Sequence, residues 1–288
     1  MSSHPPGRDR TTASTPGIDA GGVLAWGVPR LRDLPWRDTR DPWRVLVSEV
    51  MLQQTQAQRV IPKWEAFCAA FPTPRACAAA PLGEVLRRWH GLGYPRRARD
   101  LHLTAGAIAT VHRGRVPDEL DALLALPGIG PYTARAVLAF AYERDVAVVD
   151  TNVARVLART AGERLTAVTA QRRADGCVPE GHGWVWNQAV MDLGASVCRP
   201  TPRCDNCPLA ATCAWNRAGR PQPDPAVGSA GVSTRQAPYA GSDRQARGEL
   251  LRVLTAGPVR RDGYRDDIVA SLLDDGLVIE HAGELTLP

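Results

Sequence analysis

The sequence predicts an all-α main body followed by a small module of two helices and a hairpin. Three observations carry this prediction. Capped apolar segments free of Gly recur from residue 41 onward, strand-like alternation is nearly absent before residue 240, and a Pro- and Gly-rich stretch sets the last residues apart.

Taken in order, residues 1–22 are rich in Ser, Thr, Pro, Gly and Asp, have no apolar run, and read as a disordered tail. Asp41-Pro42 supplies a cap and a first-turn proline, and Trp43 to Gln58 follows without Gly or Pro, so a helix is expected there. Pro62 is expected to open a second helix, in which Trp64, Phe67, Cys68 and Phe71 form the stripe of a core-packed face. Further helices are expected over Leu82 to Trp89, Ala98 to Val111, Asp118 to Leu124, Tyr132 to Tyr142, Asn152 to Arg159 and Trp184 to Val197. Residues 217–238 lack apolar periodicity and read as a linker. Helices over Asp243 to Leu254 and Arg265 to Leu273, then a hairpin pairing Leu277 to Ile279 with Leu285 to Leu287, give a winged-helix-like module over residues 239–288. No internal repeat is found.

The 288 residues suffice for one large or two small domains. The net charge of +5 is unevenly spread, because residues 232–288 hold 7 Lys and Arg against 9 Asp and Glu. The basic excess therefore lies in the main body, which permits a polyanionic partner such as DNA without requiring one. No signal peptide and no membrane-length apolar run is found. Of seven cysteines, four crowd into residues 198–213, which argues against a secreted disulfide framework and for a soluble intracellular protein.

Four elements carry chemistry. Leu126-Pro127-Gly128-Ile129-Gly130-Pro131 sits between two helices, and its glycines, Gly128 and Gly130, let backbone amides approach a phosphate at a helix start. This is a helix-hairpin-helix signature; an ordinary helix-helix turn is the alternative. Cys198-x5-Cys204-x2-Cys207-x5-Cys213 places four thiols where they can converge on a [4Fe-4S] cluster, and spacing alone leaves structural zinc open. Cys68, Cys77 and Cys177 fit no such pattern and read as buried small side chains. Glu49, Gln53 and Gln56 fall at helical spacing on one polar face, which by itself reads as solvated. Asp150, after Val146 to Val149 and before Thr151-Asn152, by itself reads as a helix N-cap.

Together these residues resemble the MutY-type adenine DNA glycosylases of the endonuclease III, helix-hairpin-helix superfamily. The resemblance runs through Leu34-Pro35-Trp36-Arg37, Ser48 to Thr55, Gly91-Leu92-Gly93-Tyr94, the hairpin, Val149-Asp150-Thr151-Asn152, Met191 to Ala195 and the four cysteines. It implies a two-lobed glycosylase core over residues 23–216, with a helical barrel lobe at about 44–145 and an iron-sulfur lobe at about 23–43 and 146–216. It further implies a base flipped from the duplex into a pocket between the lobes. Glu49 matches the acid that protonates the leaving adenine, and Asp150 matches the carboxylate that stabilises the oxocarbenium-like sugar, with Asn152 supporting it. Strand-cutting relatives carry lysine where Tyr132 stands; a phenol forms no Schiff base, so base release without strand cleavage is expected. Gln53 and Tyr94 match residues that wedge into the duplex, and Arg32, Trp36, Arg37, Leu52 and Asp192 match the adenine-pocket neighbourhood, Trp36 and Leu52 also fitting a purely core role. Gly128 and Gly130 match the DNA-binding hairpin, and Cys198, Cys204, Cys207 and Cys213 the [4Fe-4S] ligands. The resemblance also implies double-stranded DNA with mispaired adenine as partner, no membrane, a monomer, and a bacterial cytoplasmic, nucleoid-associated location.

Two features depart from the family pattern. The first two cluster cysteines are separated by five residues instead of six, and a Nudix-like C-terminal domain that reads 8-oxoguanine has no room after the linker. The segment there resembles the short tails of actinobacterial relatives. Two rival functions stand beside the first reading: a thymine glycosylase acting on T:G mismatches, which the Leu52-Gln53-Gln54-Thr55 run disfavours, and a non-catalytic DNA-damage sensor, which the paired carboxylates disfavour.

Overall fold

The computed structural model describes residues 18–232 and 238–288. The expected tail up to residue 17 and residues 233–237 of the expected linker lie outside the described residues. In chain order the described helices are α1 (Ala20–Gly27), α2 (Pro42–Leu52), α3 (Ala57–Ala70), α4 (Pro74–Ala79), α5 (Leu82–Trp89), α6 (Arg96–Thr110), α7 (Leu120–Leu124), α8 (Pro131–Phe140), α9 (Thr151–Ala161), α10 (Ala167–Asp175), α11 (Gly183–Ser196), α12 (Ala214–Arg217), α13 (Asp243–Leu254) and α14 (Asp266–Asp274). Short strands β1 (Val259–Arg260), β2 (Ile279–His281) and β3 (Glu284–Thr286) appear among the described residues in the C-terminal module alone. None of the described helices is long and apolar enough to cross a membrane. The protein is thus all-α apart from that module.

The described chain divides into two units. One comprises residues 31–148, 180–187 and 238–288, and the other residues 18–30, 149–179 and 188–232. This differs from the expected lobes: residues 31–43, 146–148 and 180–187 fall with the barrel helices, and so does the C-terminal module.

In the first unit the core gathers around α3. Trp64 and Phe67 are 1% and 0% exposed, and Phe67 meets Phe71 and Trp89 edge-on at centroid distances of 4.9 and 6.3 Å. Asp41 caps α2 by accepting from the Trp43 and Arg44 amides at 2.9 and 3.0 Å. The expected helix from Trp43 to Gln58 is in fact two: α2 ends at Leu52, Gln54 turns with φ +55°, and α3 starts at Ala57. Pro62 does not open α3 but lies inside it. A proline at that depth removes one backbone hydrogen bond, and the burial of Val60, Trp64, Phe67 and Cys68 on the same helix outweighs the loss.

The C-terminal module has the order α13, β1, α14, β2, β3, with an antiparallel sheet in which β3 lies between β1 and β2. A hairpin forms, but its strands are displaced from the expected ones, Ile279–His281 pairing with Glu284–Thr286 and Glu280 lying opposite Leu285, and β1 adds a third strand to it. Leu250, Leu254, Val269, Leu272, Leu277 and Leu285 make its core.

In the second unit, α1 begins at Ala20, inside the stretch expected to be tail, and Asp19 caps it through the Gly22 amide at 3.0 Å. In the stretch after α12, expected to be linker, Pro225, Ala226 and Ser229 are buried. The Trp215 indole donates to the Pro221 carbonyl at 2.8 Å, and Ser229, 4% exposed, accepts from the Leu165 amide at 3.0 Å.

Candidate active site

Glu49 lies in the middle of α2 and is 4% exposed, so it does not belong to the solvated face that the sequence suggested. That face does not exist as drawn, because α2 stops before Gln53 and Gln56 caps the next helix. Gln53 is instead the residue after the helix end, where its side-chain amide donates to the Thr133 hydroxyl at 3.2 Å, one residue beyond Tyr132 in α8. Leu52 and Tyr132 are half-buried. Arg37 is buried and donates to the Arg32 carbonyl at 3.0 Å, whereas the Arg32 side chain is exposed. Trp36 meets Trp64 edge-on at 6.1 Å and is 7% exposed, a core position.

The hairpin between α7 and α8 is a tight turn. Gly128 has φ +70°, and a Cβ there would lie 2.7 Å from that of Asp100, so both conformation and space require glycine. Gly130 precedes α8 and is exposed, and a Cβ built on it meets nothing within 4 Å. The backbone at the start of α8 is therefore open to an approaching ligand, as a phosphate-binding turn requires.

Arg97 organises the rim of this unit, and the sequence had not singled it out. Its guanidinium donates to the carbonyls of Val50, Met51 and Gln53 at 2.9, 3.0 and 2.5 Å. It also donates to the Thr55 hydroxyl and to the Leu92 and Gly93 carbonyls at 3.1, 3.3 and 3.1 Å. One cation thus fastens the end of α2, which carries Gln53, to the loop that carries Tyr94. Tyr94 itself has φ +49°, and Arg97 stacks against its ring at 5.4 Å. Burial brings the Arg97 guanidinium down to about 10. Arg97→Met is expected to cost about 3 kcal/mol or more, because it orphans several carbonyls at once; chemical denaturation measures this.

In the second unit Asp150 caps α9. One carboxylate oxygen accepts from the Asn152 and Val153 amides at 2.9 and 2.7 Å, and the other from the Asn152 side-chain amide at 2.8 Å. Its surface is partly open, yet packed protein surrounds it: burial pushes its carboxyl above the ordinary range, against the pull of these three donors. Asn152 is fixed in turn by Arg155, which donates to its side-chain oxygen and to the Gly194 carbonyl, both at 2.8 Å, and to the Cys198 carbonyl at 2.6 Å. A continuous chain of hydrogen bonds therefore joins Asp150 to the first of the four cysteines. Gly194 must be glycine, since a Cβ there would sit 2.7 Å from that of Asn152. Asp192, two residues earlier in α11, is 3% exposed.

Cys198, Cys204, Cys207 and Cys213 line a single cavity with Leu193, Val197, Leu209 and Trp215. No group of three or more Cys, His, Asp or Glu among the described residues has the close spacing of a single-ion site. The donor set is all thiol, and the Arg159 guanidinium donates to the Cys198 sulfur at 3.4 Å. Burial pushes the Cys207 thiol up to about 11 and raises Cys198 and Cys213, so thiolates here call for a cationic centre to hold them. The residues present thus fit a thiolate-ligated metal group. Cys68 and Cys77, in the other unit, are buried and raised to about 12 by burial, which makes them inert.

Arg159 is 2% exposed and holds Asp224 through contacts of 3.2, 3.1 and 2.6 Å. It also donates to the Arg199 and Pro200 carbonyls at 2.6 and 3.0 Å. Burial works against the Asp224 carboxylate, but the Arg159 hydrogen bonds and the Ala226 amide hold it below its ordinary range. Asp224→Asn leaves a buried guanidinium uncompensated and is expected to cost about 3–5 kcal/mol. Because the folded value is depressed, this stabilisation is present above the unfolded pKa and is lost as pH falls through the folded one. Denaturation curves from neutral pH downward should show the wild type converging on the variant.

The model of the HhH-GPD superfamily base excision DNA repair protein matches residues 47–174. The chain is 44% identical to the adenine DNA glycosylase of Mycobacterium tuberculosis over 92% of both chains, and 45% identical to that of Mycolicibacterium smegmatis over 90% of this chain and 92% of the other. This chain belongs to the adenine DNA glycosylase family. The human adenine DNA glycosylase is 39% identical over 67% of this chain and 38% of its own length. Among solved structures, a thermostable thymine-DNA glycosylase superposes with a TM-score of 0.65 at 28% identity, covering 69% of this chain and 95% of that one. An endonuclease III in a non-covalent DNA complex superposes with a TM-score of 0.61 at 24% identity, covering 68% and 92%, which shows the shared fold. In this adenine DNA glycosylase family member, Arg32, Trp36, Arg37, Glu49, Leu52, Gln53, Tyr94, Gly128, Gly130 and Tyr132 fall in one unit, and Asp150, Asn152, Asp192 and the four cysteines in the other. Arg97, Arg155 and Arg159 of the glycosylase escaped the sequence reading. Their signal was weak: each looks like an exposed arginine until its buried partners are known.

Proposed function

We propose that this enzyme hydrolyses the N-glycosidic bond of adenine mispaired with 8-oxoguanine or guanine in double-stranded DNA, without cutting the strand. The observation that carries the reading is near full-length identity of 44% to adenine DNA glycosylases, combined with a buried glutamate at the position the motif assigns to the acid.

In this reading Glu49 donates a proton to the departing adenine. Its carboxyl, 4% exposed, is held away from bulk water, as a positioned acid requires. Asp150 supplies the negative charge that stabilises the oxocarbenium-like sugar, and Asn152, braced by Arg155, fixes its orientation. Gln53 and Tyr94 hold the duplex open, Arg97 keeping their two loops in register, and Gly128 and Gly130 receive a phosphate. Arg32, Arg37 and Leu52 in one unit, and Asp192 in the other, match the family's adenine-contacting positions; Trp36 is a core residue of the first unit. Cys198, Cys204, Cys207 and Cys213 would hold a [4Fe-4S] cluster, which when bound cross-links the loop that Arg155 and Arg159 tie to α9.

Tyr132 sets the reaction type, since a phenol cannot form an imine with the sugar. Borohydride is expected to trap no covalent adduct with A:8-oxoguanine duplex under conditions that trap a lysine-bearing relative. Comparable trapping would overturn the monofunctional reading. Single-turnover release from A:8-oxoguanine, A:G and A:C duplexes ranks the opposite base.

A further inference from the structure

The C-terminal module carries six arginines against nine acidic residues over 239–288, so as a whole it repels a polyanion. Its charges are segregated. Arg260, Arg261 and Arg265 pair with Asp262, Asp266, Glu280, Asp243 and Asp267. The second helix of a winged-helix module is the usual groove reader. Here α14 starts with Asp266-Asp267 and ends with Asp274, a charge pattern that DNA disfavours. Asp275, just after it, is committed to the module's own lobe: it accepts from Arg96 at 2.7 Å and from Arg247, while its carbonyl accepts from Arg99 at 2.6 Å. The Pro288 carbonyl also accepts from the Gly83 amide at 2.6 Å. The module is thus clamped to α5 and α6 through its acidic helix end and its last residue.

That clamp lays the other helix, α13, along the loop bearing Tyr94. The Arg244 guanidinium lies 3.4 Å from the Tyr94 hydroxyl. Two turns further along α13, the charge of Arg252 bears on His90 at the start of the same loop, as does that of Lys63 from α3. Arg59 of α3 donates to the Gly91 carbonyl at 2.5 Å. Basic side chains from α3 and α13 therefore border residues 90–94. We propose that α13, through Arg244 and Arg252, grips the phosphodiester backbone of the duplex beside Tyr94, so that the C-terminal module extends the DNA-binding face of the lobe instead of acting as a separate domain. This rests on Tyr94 lying against DNA, as the proposed function has it.

The test measures affinity of the full chain, with Arg244 and Arg252 both changed to Gln, for duplex holding a tetrahydrofuran abasic analogue opposite guanine, across a salt series. Removing two phosphate contacts should flatten the slope of log K against log salt by about 1.8 and weaken binding several-fold at low salt. An Arg260→Gln, Arg265→Gln double variant removes equal charge elsewhere on the module and should leave the slope unchanged. An unchanged slope in the first variant, or equal flattening in the second, overturns the proposal. Matching melting curves for the two variants keep a folding defect from mimicking the result. Tyr94→Ala separates the two claims: if it leaves affinity for the abasic duplex intact while the Arg244/Arg252 variant flattens the slope, the wedge reading falls and the α13 contact stands.

Discussion

Glu49→Gln is expected to slow single-turnover base release by about 10²–10⁴-fold, the range that a positioned general acid supplies. The amide keeps the size and hydrogen-bonding capacity of the carboxyl in a position that is 4% exposed, so α2 should fold unchanged. Duplex affinity should also survive, because the contacts assigned to DNA lie on Gln53, Tyr94, the hairpin and α13. A rate within a few-fold of wild type would move the acid elsewhere and would revive a non-catalytic role for the fold.

Asp150→Asn should have an effect of similar size by a different route. Asparagine is as good an N-cap as aspartate, so it can still accept from the Asn152 and Val153 amides that start α9. What it removes is the negative charge that the proposed mechanism sets against the developing cation, and a preorganised electrostatic group is worth about 10²–10³-fold. The variant also carries a pH signature. Burial raises the Asp150 carboxyl, so the folded protein binds this proton more tightly than the unfolded chain does. Stability conferred by protonation is fully present below the unfolded value and declines as pH rises through the folded one. Asp150→Asn should abolish that slope, while wild-type activity, which needs the ionised form, should fall as pH drops through the raised value.

Helices whose boundaries were legible have local punctuation. Leu82–Trp89 and Asp243–Leu254 were found at their true ends because Pro81 and Ser242 precede them and apolar residues repeat along one face. Ala20–Gly27 was hidden by its two internal glycines and by a packing requirement written elsewhere in the chain: a Cβ on Gly27 would lie 2.5 Å from that of Ala189. Residues 221–232 read as linker because Pro and Gly dominate them, yet Asp224 finds Arg159 across 65 positions, a pairing that no local pattern encodes. The burial of Glu49 was not legible, because periodicity placed it on a solvated face, whereas the capping role of Asp150 was. Arg97 and Arg155 were illegible for the same reason as Asp224: their value lies in carbonyls that come together after folding.

The central claim is adenine release without strand scission, and it is tested most directly by identifying the free base and the strand after a single turnover. With otherwise identical duplexes carrying A:8-oxoguanine or T:G, the enzyme should release adenine from the first, leave an intact alkali-labile strand, and release no thymine from the second. Release of thymine but not adenine would contradict the account.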